Sequence, residues 1–128
     1  MLADFTGPWQ LARTIAHADG LTAALTGTAT FTPEGRGLAY AETGALSIAG
    51  APPFEATQRY TWDERLGVHF ADGRFFHTVP AQGGPASHWC DPDQYDGVYD
   101  FSDWPRWTLR WQVRGPRKDY TSDTTYWR

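Results

Sequence analysis

The chain holds a single lysine, a single cysteine and a single methionine among its 128 residues. One thiol, Cys90, excludes an intramolecular disulfide framework, and with it the small secreted scaffolds that depend on one. No run of about 18 apolar residues occurs, so no membrane-spanning helix is expected. The opening Met1-Leu2-Ala3-Asp4 has no basic region followed by an apolar stretch, and no signal peptide is expected. Basic side chains are outnumbered, 11 against 15 acidic ones, and the net charge of −4 argues against a general nucleic-acid binder. These absences leave a soluble cytoplasmic domain as the expectation. Residues 1–128 suit one domain, large enough to bury roughly 65–70% of the unfolded surface around one core.

Aromatic residues, by contrast, are plentiful: seven Trp, six Tyr and seven Phe, with 13 Gly and nine Pro. The dominant period is two. Along 21–32, threonines hold nearly every even position, while Leu, Ala, Gly and Phe hold the odd ones. Segment 37–48 puts Leu38, Tyr40, Glu42, Gly44, Leu46 and Ile48 on one face. Segment 54–62 sets Phe54, Ala56, Gln58, Tyr60 and Trp62 opposite Glu55, Thr57, Arg59 and Thr61. Trp107, Leu109, Trp111 and Val113 alternate with polar neighbours in the same way. No segment holds the three-and-four spacing of a helix. Turn signals such as Ala18-Asp19-Gly20, Pro33-Glu34-Gly35, Asp72-Gly73 and Gly115-Pro116 fall roughly ten residues apart. The pattern predicts an all-β fold: a single antiparallel up-and-down barrel of about ten strands, closed to remove its edges.

The strand faces give a map of the interior. A two-residue turn at Asp72-Gly73 would set Phe70 against Phe75 and Val68 against His77, with His69 on the opposite face from His77. A loop centred on Gln82-Gly83 would place His77 opposite His88. A Pro92-Asp93 turn would then bring Cys90 beside Tyr95. Tyr95, Gly97, Tyr99 and Phe101 would face inward, leaving Asp96, Val98 and Asp100 to meet outward Arg110 and Arg114. Arg13 falls on the inward face of Trp9, Leu11, Arg13 and Ile15, as Glu42 does on its own strand. Isolated buried charges are costly, so these two must pair, meet tyrosine hydroxyls or border a watered cavity.

The run Phe5-Thr6-Gly7-Pro8-Trp9-Gln10-Leu11 resembles the G-x-W opening of calycins, the group of lipocalins and fatty-acid-binding proteins. That resemblance implies a Trp closing one barrel end beneath a basic residue of the last strand, here Trp9 with Arg128 or Arg114. Arg59-Tyr60-Thr61-Trp62, Asp72-Gly73-Arg74-Phe75-Phe76-His77, His88-Trp89-Cys90-Asp91-Pro92-Asp93-Gln94-Tyr95 and Gly115-Pro116-Arg117-Lys118-Asp119-Tyr120 resemble, over essentially the whole chain, a narrower group. It is an uncharacterised domain-of-unknown-function family of small bacterial and fungal proteins with calycin-like barrels. The likeness implies a fold and no established activity. Only His17-Ala18-Asp19-Gly20 joins the first two strands, so the helical lid of fatty-acid-binding proteins is not expected. Nitrobindin-like haem barrels begin G-x-W-x-G-x-G, and here Leu11 and Arg13 replace the later glycines.

The candidate ligand-binding residues are Arg13, Tyr40, Glu42, Tyr60, His77, His88, Cys90, Tyr95 and Tyr99. They point to a barrel that binds a small, largely apolar or aromatic ligand, with the polar groups orienting it. The alternative is a cavity enzyme doing acid–base chemistry, of isomerase, cyclase or decarboxylase type, if His77, His88, Glu42 and Tyr60 converge. A haem barrel and a filled barrel presenting aromatics such as Trp104 to a partner are further readings. Two histidines and one thiol lack metal spacing, so no metal is assigned and the cofactor is left open. The bland reading of the same residues is a set of core histidines and an internal salt bridge. Neither a nucleic-acid nor a membrane partner is expected. The oligomeric state is open, with a homodimer among the options.

Overall fold

A computed structural model describes all 128 residues. One 3-10 turn, Leu2–Phe5, precedes ten strands. They are β1 Gly7–His17, β2 Thr22–Glu34, β3 Gly37–Ile48, β4 Phe54–Trp62, β5 Gly67–Phe70, β6 Phe75–Thr78, β7 Gly84–Cys90, β8 Asp93–Asp100, β9 Trp107–Arg114 and β10 Asp119–Trp127. All pair antiparallel in one sheet of order β6-β5-β4-β3-β2-β1-β10-β9-β8-β7. Consecutive strands pair except β6 with β7, and β1 also pairs with β10 to bend the meander round. The result is a nearly closed, calycin-like barrel. Its one unpaired seam lies where edge strands β6 and β7 face each other.

Alternation places the faces as the sequence implies. On β2 every threonine is exposed, while Leu25, Ala29 and Phe31 are buried. One end is packed solid. Phe5, carried by the 3-10 turn, lies within 6 Å (ring centroids) of Phe31, Trp62, Phe101, Trp104 and Trp107. Trp9, fully buried, donates its indole N–H to the Phe5 carbonyl at 2.8 Å. The Arg128 guanidinium sits 3.9 Å over the Trp9 ring and donates to the carbonyls of Asp4 and Thr6. The basic partner of Trp9 is therefore Arg128 and not Arg114.

Three local expectations are corrected. The β5–β6 turn has three residues, Ala71 to Gly73, closed by Phe70 and Arg74, with Gly73 at a positive φ of 92°. Register therefore shifts, His69 rather than Phe70 pairs with Phe75, and a bulge beside it restores the Val68–His77 pairing. Phe75 is left outside, 53% exposed, and Phe76 turns in. His77 does not pair with His88, because β6 and β7 form no ladder. On β7, His88 is the residue opposite Tyr95, and Cys90 pairs with Asp93 at the strand end, exposed. Lastly, Arg110 faces Val98 and takes its ion pair, at 2.6 Å, from Asp123 on β10 rather than from an aspartate of β8.

Candidate functional site

Above the packed end the barrel is hollow. A cavity of about 330 Å³, lined by 24 residues of which 17 are hydrophobic, opens toward the end bearing the β1–β2, β3–β4 and β9–β10 turns. That volume falls within the ~300–1,000 Å³ range of small-molecule sites and would hold about eleven waters at ~30 Å³ each. Ile15, Leu46, Ala56, Leu109 and Trp111 build its apolar wall. Gly97 makes room for Trp111: a Cβ there would lie 2.7 Å from the indole ring. The ring rests against the β8 backbone instead.

The polar part of the wall is built across three strands. Arg13 on β1 and Glu42 on β3 reach toward each other over β2, where Gly27 and Ala29 offer almost no side chain. Arg13 Nη1 donates to Glu42 Oε2 at 2.7 Å, Nη2 to Oε1 at 3.0 Å, and Nε to Thr124 Oγ1 at 2.7 Å. Tyr40 donates its hydroxyl to Glu42 and also meets the Tyr126 hydroxyl at 2.9 Å. Burial works against the Arg13 charge. Tyr126 and the bonded Glu42 more than offset it, and the guanidinium is held above its ordinary pKa. Burial also pushes the Tyr40, Tyr60, Tyr99 and Tyr126 phenols up, so all four stay protonated at neutral pH.

The remaining sequence candidates are dispersed. Tyr60 lines the cavity and accepts a bond from Gln58 at 2.7 Å. His77 Nε2 and the Tyr99 hydroxyl lie 2.7 Å apart, deep in the wall. Tyr95 lines the upper cavity, with Lys118 Nζ donating to its hydroxyl at 3.0 Å and paired to Asp93 at 3.2 Å. His88 packs against Phe70, Phe76 and Tyr95 in the seam, and neither it nor Cys90 lines the cavity. His77, His88, Glu42 and Tyr60 thus stand in separate arrangements, and no three His, Cys, Asp or Glu side chains are grouped to hold a metal. Thr124, Tyr126, Ser122 and Tyr120 complete the wall from β10.

Two buried polar atoms, His77 Nδ1 and Trp107 Nε1, make no hydrogen bond. Burial first, and the charge of His88 second, push His77 down to about 4 from 6.5. The unfolded chain therefore binds the extra proton between these values, so His77 adds stability in full above pH 6.5 and loses it as pH falls toward 4. About 3 kcal/mol is expected to disappear across that window, each pKa unit being worth about 1.4 kcal/mol. Urea denaturation of the protein and of His77→Gln checks this. The variant should show a clearly flatter loss between pH 6.5 and 4, and equal slopes would refute the assignment.

A calycin-like β-barrel enclosing an aromatic-lined cavity is the class that fold and site define together. Residues 5–128 match the Family of unknown function (DUF6314), and the chain belongs to that family. Among solved structures it is similar to the S-type phycobiliprotein lyase CPES from Guillardia theta. The TM-score is 0.69 at 9% identity, over 99% of this chain and 89% of that one. At that identity the likeness speaks to the fold. No curated protein matches the chain by sequence. No helix is long and apolar enough to cross a membrane.

Proposed function

We propose that the barrel binds a small, largely apolar or aromatic molecule, as a soluble cytoplasmic binding protein. The observation that carries this reading is the hollow upper half. A protein with this many aromatics could fill its barrel, and here about 330 Å³ is left open behind an apolar wall. The separate placement of His77, His88, Glu42 and Tyr60 favours holding a ligand over acid–base catalysis, which needs such groups in mutual reach. The phycobiliprotein lyase of like fold extends the candidates to bilins. With four pyrrole rings a bilin would extend well beyond the mouth, so the volume favours a more compact guest.

The test is a titration with the neutral apolar dye N-phenylnaphthylamine, whose emission rises in dry surroundings. Saturable enhancement is expected for the protein as it stands. Ala56 faces the cavity from β4, and Ala56→Trp should weaken dye binding by about tenfold or more by filling the space. Its thermal unfolding shows that the fold persists. Absent enhancement, or equal enhancement in Ala56→Trp, would overturn the reading.

A further inference from the structure

We propose that the molecule held in this cavity docks a neutral hydrogen-bond acceptor, a carbonyl or carboxamide, on Arg13, and that the site selects it against the corresponding carboxylate. The proposal rests on the binding reading above and narrows it to ligand chemistry. A guanidinium has five N–H groups. In Arg13 three are taken, one by Thr124 and two by Glu42. Two remain, on a side chain that lines the cavity with 20% of its surface open. On the adjacent strand β10, Ser122 and Tyr120 line the same cavity. The wall around Arg13 therefore offers donors, set in apolar surroundings, that the protein leaves unused.

Charge decides the class of acceptor. Glu42 grips Arg13 through both carboxylate oxygens, and the pair is neutral as a unit. No other arginine and no lysine lines the cavity. Lys118, at the mouth, is already held by Asp93 and Tyr95. A carboxylate guest would bring a second anion to a cation already spoken for, in a site largely shielded from water. An uncompensated buried charge is far more costly than a buried dipole with a partner. A neutral acceptor takes the spare N–H groups and leaves no charge behind.

The experiment displaces bound N-phenylnaphthylamine with two matched probes, naphthalene carboxamide and naphthalene carboxylate. At neutral pH the carboxamide should displace the dye at about tenfold lower concentration, the order expected for one hydrogen bond to a charged donor. Glu42→Gln frees the Arg13 charge, and there the order should invert in favour of the carboxylate. Should that variant not fold, Arg13→Met/Glu42→Leu removes the charges together. Plain naphthalene is the reference there: the carboxamide should displace the dye about tenfold better than naphthalene in the unaltered protein and no better than it in the double variant. Equal or better displacement by the carboxylate in the unaltered protein overturns the proposal and leaves the binding reading standing. Failure of the dye to bind overturns both.

Discussion

Replacing Glu42 with alanine is expected to cost about 3–5 kcal/mol, because it strands a buried guanidinium without its counter-charge. Glu42 is 6% exposed and anchors Arg13 through two hydrogen bonds and Tyr40 through a third. Thr124 remains to Arg13 in the variant, but a neutral hydroxyl oxygen cannot balance the charge. In a chain of this size the loss corresponds to a fall in Tm of roughly 10–20 °C. Arg13→Met should be costly for the mirror-image reason, leaving the carboxylate to Tyr40 alone. Removing both charges in Arg13→Met/Glu42→Leu should recover most of the stability, since an apolar pair of similar volume avoids the desolvation that the ions suffer. Urea denaturation of the unaltered protein, Arg13→Met, Glu42→Leu and the double variant gives the double-mutant cycle. Additive losses would mean that the two charges are solvated independently, and the neutral-unit argument would fall with them.

The second large effect is expected at the packed end. Trp9→Ala should cost about 3–5 kcal/mol, the usual range for emptying a large aromatic site in a core that cannot collapse. Trp9 is fully buried, with Trp104 and Trp107 rings 5.5 and 6.0 Å away. The substitution also removes the indole bond to the Phe5 carbonyl and the face on which Arg128 rests. Arg128→Ala should cost much less, about 1 kcal/mol, because its contacts are exposed. Thermal and urea unfolding of both variants checks the ordering. Arg128→Ala proving the more damaging would mean that the end is held from outside rather than by the buried indole.

The architecture was legible in the sequence because period two is a backbone property that tertiary context rarely overrides. Arg13 and Glu42 could be found for the same reason: each is a charge on an otherwise largely apolar or aromatic face, with Leu11 and Ile15 beside Arg13, and Leu38, Tyr40 and Leu46 on the face of Glu42. Strand β10 hid its contribution, since Asp119–Trp127 is polar on both faces and alternation singles out neither. Thr124, which pairs directly with Arg13 across the β1–β10 ladder, therefore escaped notice, as did Tyr126. Turn length was the other blind spot. Two and three residues are both compatible with Asp72-Gly73, yet they put opposite phenylalanines inside. The seam was hidden too, because consecutive strands normally pair. Val79–Gly83 instead separates β6 from β7 without forming a hairpin ladder.

That seam sets how the wall can breathe. Between any other two neighbouring strands, widening the barrel means breaking a row of backbone hydrogen bonds, which open together or not at all. Between β6 and β7 nothing of that kind has to break. Side chains bridge the gap instead: His88 packs on Phe70 and Phe76, Phe76 on Tyr95, and His77 meets the Tyr99 hydroxyl. Along one line of its circumference the barrel is therefore a split ring, clasped by side chains rather than by a backbone ladder.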